Sequence, residues 1–245
     1  MLLQSLIMPV QAQTDHPDPF PIPQHESVYE VLRNGSKIGE VHSKLSRDER
    51  GVWLFDTETI ATSTLAKMLR LSAEESAQFI WQGDGILPLT YRNVSREPLR
   101  TRYWQHRMDW TDGLSRAETH EGDLEVELEP ELLDPLTMRL QTSVLLNQPT
   151  GIQGEVLNFR IIERDQIEDQ RMEFQGSESI TTELGCFNAQ RWYRFRREGS
   201  SRNYRMWVAE SLHWMPLQID LGDEDQTIRL RLVESDLLDS PADCE

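Results

Sequence analysis

The side chains best equipped for chemistry are spread unevenly along this chain. Six arginines, Arg191, Arg194, Arg196, Arg197, Arg202 and Arg205, crowd the run RWYRFRREGSSRNYRMW among Trp192, Tyr193, Phe195, Tyr204 and Trp207. Guanidinium groups hold phosphate and carboxylate bidentately, so Arg191, Arg194, Arg196, Arg202 and Arg205 are candidate contacts for an anionic head group or an acidic partner. The same pattern fits a sheet whose arginines ladder against glutamates on neighbouring strands. Carboxylates dominate a second run, LEVELEPEL, with Glu125, Glu127, Glu129 and Glu131 at every other position. Calcium needs oxygens that converge, whereas alternate side chains of one strand lie in a row about 7 Å apart. The run reads instead as an edge strand guarded by charge and by Pro130. His106 shares a period-2 face with Trp104, Met108 and Trp110. A hydrogen-bonded imidazole within an aromatic face fits that setting better than a general base.

Motifs that carry reactions are missing. The histidines show no HxxxH or HExxH spacing, no Cys/His set is spaced for zinc, and GxSxG, P-loop and strand-linked GxGxxG signatures do not occur. No metal, cofactor or catalytic residue is expected, and the chain reads as a binding or structural protein rather than an enzyme. Its 25 Lys and Arg against 42 Asp and Glu give a net charge of −17, which argues against a nucleic-acid partner and against anionic membrane surfaces. Cys186 and Cys244 would pair in an oxidising compartment, closing a loop worth about 4 kcal/mol of chain entropy, or remain two thiols in a reducing one.

These residues need elements to position them, and the pattern is mostly strand and turn. Val10-Gln11-Ala12 ends a short apolar run and suits cleavage by a signal peptidase after Ala12, although no Lys or Arg precedes Arg33. Residues 1–12 are therefore expected to be a shortened export signal, and 13–27 a Pro-rich extended arm. No segment is long enough to span a bilayer as a helix. Within VYEVLRNGSKIGEVHSKLS two alternating runs flank Asn34-Gly35, a hairpin signal, and Asp112-Gly113 marks another. STLAKMLRLS, capped by Ser63, suits a short helix. Further strand-like runs are AQFIWQ, LPLTYRNVSRE, VLNFRII, DQRMEFQG, SITTELGCFNAQRWYRFRR, MPLQIDLGD and TIRLRLVES.

One stretch, DPLTMRLQTSVLLN, breaks the alternation. Asp134 suits an N-cap, Pro135 the first helical position, and Leu136, Leu140 and Val144 form a stripe at i+4 spacing. A short helix among strands must bury its stripe against a sheet. The expected fold is mainly β: a single antiparallel, strongly curved, half-open β-barrel with a short helix packed across the concave face. The concave lining would include Trp53, Phe55, Phe79, Trp81, Trp104, Trp110, Phe159 and Ile161, facing Leu136, Leu140 and Val144. Such a lining is either an ordinary filled core or a cavity for an acyl chain. Met68, Met108 and Met138 suit both.

The motifs YEVLRNGSKIGEV, GDGILPLTYR, MDWTDG, LLDPLTMRLQTSVLL, ELGCFNAQRWYRF and MWVAESLHWMPLQIDL occur in the order that DUF3108 proteins show. The shared features are Gly35 with Gly39, Gly85 with Pro88, Asp109-Trp110, Asp134-Pro135-Leu136, and Trp207 with Pro216. The chain thus resembles that family of exported Gram-negative envelope proteins over residues 28–236, with a tail over 237–245. In fold, the family is similar to the periplasmic lipoprotein carriers of the LolA and LolB type. The resemblance implies a periplasmic protein that binds a lipid or acyl chain in a half-barrel cavity and supports envelope biogenesis. The alternative is an envelope scaffold with a packed barrel, docking another envelope protein through its Arg-rich hairpin.

Overall fold

The computed structural model describes residues 19–63, 72–83, 85–97, 99–148, 156–195, 203–222 and 227–244. The export signal, the helix expected after Ser63, Met68, and Arg196, Arg197 and Arg202 lie outside the described residues. Fifteen strands form one sheet in the order β8-β7-β6-β5-β4-β3-β2-β1-β15-β14-β13-β12-β11-β10-β9. The chain enters at the middle and meanders outward through β1 (His25–Arg33), β2 (Ser36–Arg47), β3 (Trp53–Ala61), β4 (Ser72–Gln82), β5 (Gly85–Glu97), β6 (Arg100–Asp109) and β7 (Leu114–Thr119) to the edge strand β8 (Gly122–Glu127). It then crosses to the opposite edge through β9 (Leu132–Leu133) and α1 (Pro135–Leu146). From there it meanders back through β10 (Val156–Glu163), β11 (Gln166–Thr182), β12 (Gly185–Phe195), β13 (Asn203–Ala209) and β14 (Pro216–Gly222) to β15 (Thr227–Ser235), which pairs with β1. All pairings are antiparallel except the short β9–β10 contact. No ladder joins β8 to β9, so the sheet curls without closing.

Local chemistry accounts for these elements. Asn34 (φ 48°) and Gly35 (φ 82°) turn the first hairpin in the left-handed region, which Asn tolerates and Gly, lacking a Cβ, enters freely. LEVELEPEL supplies β8 at the sheet's edge, with Glu125 and Glu127 exposed and Leu124 and Val126 half-buried, the arrangement that discourages another strand from adding there. SITTELGCFNAQRWYRFRR is not one strand: Glu183 and Leu184 form a turn inside it, and its first part continues DQRMEFQG across an irregularity between Phe174 and Ser177. The Asp134 carboxylate accepts the Leu136 and Thr137 N–H groups at 2.8 and 2.9 Å, and the Asp134 N–H donates to Thr137 Oγ1 at 2.9 Å. That reciprocal cap starts α1.

The helix is held by both halves of the sheet, which makes it the object the sheet wraps. Arg139 pairs with Glu75 of β4 at 3.5 Å, the Ile86 N–H of β5 donates to Gln141 Oε1 at 3.2 Å, and Ser143 Oγ donates to the Trp214 carbonyl at 2.8 Å. Leu136, Leu140 and Val144 are buried in the central core, as is Met138, each such side chain contributing about 1.5–3 kcal/mol. The segment before β1 is packed rather than free: Phe20 and Ile22 belong to the same core. The tail is strapped down as well. Cys186 and Cys244 are disulfide-bonded with Cα atoms 5.1 Å apart. The Cys186 N–H donates to the Ala242 carbonyl at 2.8 Å and the Ala242 N–H to the Leu184 carbonyl at 3.0 Å. Gly185 lies so close to Ala242 that a Cβ would collide with its backbone.

Candidate functional site

Residues directly opposed in register share a face of the sheet, and this separates the candidate residues into three places. The first is the aromatic end of the inner face. Trp53 and Phe79 are paired across β3 and β4, with Phe55 two residues further along the same face. The ring of Phe20 lies 4.8, 5.5 and 5.2 Å from those of Trp53, Phe79 and Trp81. Phe20 therefore fills the space these aromatics would otherwise enclose. Trp104 is buried beneath the guanidinium of Arg164, 5.3 Å from its ring, and Trp110 donates from Nε1 to the Pro88 carbonyl at 2.6 Å. Met108 is buried too. Trp53, Phe55, Phe79 and Met108 are core at this end, Trp81 and Trp110 are half-buried against it, and Trp104 also borders a smaller pocket of about 280 Å³ beside Arg164.

The second place is a polar cluster under the helix. The Glu75 carboxylate accepts from Tyr91 Oη at 2.9 Å and Asn93 Nδ2 at 2.7 Å besides pairing with Arg139. Burial, with Glu75 beside it, holds the Tyr91 phenol well above its usual range. With its oxygens committed this way, Glu75 serves as an anchor for α1. His106 is fully buried and within 3.0 Å of Ser115 Oγ across β6 and β7, and burial lowers its imidazole below the ordinary value. It ties β6 to β7 within the core. Among the described residues, no three His, Cys, Asp or Glu side chains gather as a metal site.

The third place is the seam where the curl stays open. A pocket of about 590 Å³ lies between α1, β9, the strands β10 and β11, and the start of β5. Its apolar part comes from Ile86, Leu133, Leu145 and Phe159; Gln141, Gln148, Gln170 and Asn158 add carboxamides, and Glu131, Arg160, Asp169 and Arg171 add charges at its margin. Phe159 and Gln170 are opposed in register on the inner face. Of the expected lining residues, only Phe159 reaches this pocket. Gln170 and Gln141 were not legible as site residues, because three glutamines from two elements make no sequence motif. A volume of this size is ordinary for a small-molecule site.

The arginine run does not form one surface. Alternation turns Arg191 and Arg205 outward, with Arg191 bonded to Glu178 at 3.1 Å and Arg205 exposed. Trp207 Nε1 donates to the same Glu178 oxygen at 2.8 Å. Arg194 turns inward instead: it is buried, its guanidinium 4.3 Å above the Tyr204 ring. No described helix is long and apolar enough to cross a membrane.

Comparison with known proteins agrees with this architecture. No curated protein matches the chain by sequence. Among solved structures, a beta-barrel-like protein of domain of unknown function DUF1849 from Brucella abortus superposes with a TM-score of 0.56 at 8% identity, covering 89% of this chain and 98% of that one. At that identity the likeness is one of fold alone. A MucB crystal structure aligns over 89% of this chain and 55% of its own at 11% identity with a TM-score of 0.31, too low to support any argument. A family model described as "Protein of unknown function (DUF3108)" matches residues 28–233. Carrying that match across nearly the whole curled sheet and its capped helix, the chain belongs to the DUF3108 family.

Proposed function

We propose that this protein is a non-enzymatic, exported binding protein of the cell envelope that takes a lipidic ligand or acyl chain into the seam pocket of its half-barrel. The observation that carries the reading is the pocket itself: an apolar floor of Ile86, Leu133, Leu145 and Phe159 on the open side of the sheet, with carboxamides beside it. Apolar surface covered there contributes about 25 cal/mol per Å² before the costs of ordering the ligand. The Cys186–Cys244 bond supports export, since structural disulfides persist in oxidising compartments. The committed hydrogen bonds of Glu75 and the burial of His106 support a role without chemistry. The likeness to lipoprotein carriers is an analogy of architecture and adds only direction to the proposal.

A second reading draws on the filled aromatic end, where Phe20 occupies the Trp53–Phe79–Trp81 cluster. On that reading the barrel is a packed scaffold that docks another envelope protein through its outer face. Native mass spectrometry on protein purified without detergent, followed by organic extraction, separates the two. A stoichiometric adduct of lipid mass is expected. A bare chain that also gains no thermal stability from added amphiphiles would leave the scaffold reading in place.

A further inference from the structure

Resting on the reading that the seam pocket holds an amphiphile, we infer that the polar end of its ligand is uncharged and donates a hydrogen bond, as a hydroxyl or amide N–H does. Gln170 is the central observation. It lines the pocket while only 5% exposed, and its Oε1 is buried without a hydrogen-bond partner. Its Nε2 donates to Glu168 Oε2 at 3.3 Å. That contact fixes the orientation of the amide, because the flipped form would set its oxygen against a carboxylate. A carboxamide oxygen left unpaired away from water is unfavourable, and a ligand O–H or N–H relieves it. A carboxylate head brings only acceptors at neutral pH and would not, and a phosphate head brings a charge that Glu131 and Asp169 in the lining oppose.

The remaining polar groups agree. Gln141 uses its Oε1 on the Ile86 N–H and has its Nε2 left as a donor. Gln148 is a third neutral amide beside it. Arg160 and Arg171, next to Phe159 and Gln170 on the same strands, also line the pocket, although alternation turns them away from the inner face. There Arg160 pairs with Glu129 and Asp169, and Arg171 with Glu173. Each guanidinium that lines the pocket is thus already paired with a carboxylate, and Glu131 and Asp169 in the same lining oppose an anion, as does the chain's net charge of −17.

The test is calorimetric titration of the delipidated full chain with amphiphiles of one acyl length: a monoacylglycerol, the fatty acid, its methyl ester and a lysophosphatidic acid. The monoacylglycerol is expected to bind at least about tenfold tighter than each of the other three. In Gln170→Leu its advantage over the methyl ester should vanish while the methyl ester still binds. A fatty acid or lysophosphatidic acid that binds as tightly as the monoacylglycerol overturns the inference and leaves the amphiphile pocket standing. So does a methyl ester that matches the monoacylglycerol. Failure of all four to bind overturns the pocket reading itself, and this inference with it. The wild-type titrations decide the matter even if the variant fails to fold.

Discussion

At the Trp53 end of the inner face the chain supplies its own occupant, Phe20, whose ring meets Trp53, Phe79 and Trp81 within 5.5 Å. At the seam, the same sheet and the same helix leave about 590 Å³ unfilled between Leu145, Leu133 and Phe159. The two regions differ in what crosses them rather than in hydrophobicity. A peptide segment from before β1 covers the first, while the second lies beside the edge strand β9 and the C-terminal half of α1. Apolar composition alone therefore does not mark a binding site; an apolar surface the fold leaves without a partner does.

Four substitutions or conditions test that contrast. Leu140 faces the shared core from α1, so Leu140→Arg buries an unpaired charge and should unfold the protein, a loss above about 4 kcal/mol. A folded variant with an ordinary urea midpoint would mean the helix stripe borders open space instead. Phe20→Ala should cost about 3–5 kcal/mol by the same measurement, as expected for emptying a packed aromatic site. A loss below about 1 kcal/mol would show the aromatic end to be as loosely filled as the seam.

The third test is pH. Burial pushes the Asp134 carboxyl from its ordinary 3.8 up to about 6, despite the hydrogen bonds it accepts from Leu136 and Thr137. The folded state then holds this proton more tightly than the unfolded chain, so stability from this group rises as pH falls through 6 and levels off below about 4. The gain is on the order of 1–3 kcal/mol, read as the difference between wild type and Asp134→Asn in urea midpoints at pH 7 and pH 5. A wild type and variant with parallel pH profiles would place Asp134 in a wetter site than the core around it. The smallest effect belongs to the seam: Leu145→Ala should lower stability by only about 1 kcal/mol while weakening amphiphile binding in the same titration. A large loss of stability there would make the seam ordinary core.

Short-range signals were legible in the sequence and long-range convergence was not. Asp134-Pro135 announced the helix start, Asn34-Gly35 the first hairpin and the alternating glutamates the edge strand, because each depends on backbone chemistry within a few residues. The prolines around Phe20 and Ile22 carry a strong signal for an extended arm and say nothing about where such an arm lands. Charge counting groups Arg194 with Arg191 and Arg205, although its even position sets it on the opposite face by the period of 2. The turn at Glu183-Leu184 lacks any glycine before Gly185, so the run read straight through it. The seam glutamines come together only when β11 and α1 meet.

The position of β1 beside β15 has a consequence for how the chain reaches this state. Ser27 and Ser235 touch through their hydroxyls at 2.8 Å across a separation of 208 residues, and Glu30 pairs with Arg231 on the same join. Nearly every other ladder links strands that follow one another in sequence. Each half of the sheet can therefore assemble as a quick local meander, whereas their union waits on a single distant encounter. Throughout synthesis one side of β1 remains an unoccupied template until the last strand emerges, the kind of edge that captures foreign strands. The ionic and hydroxyl contacts along β15 act at that late step, selecting the right partner for a strand that has waited longest.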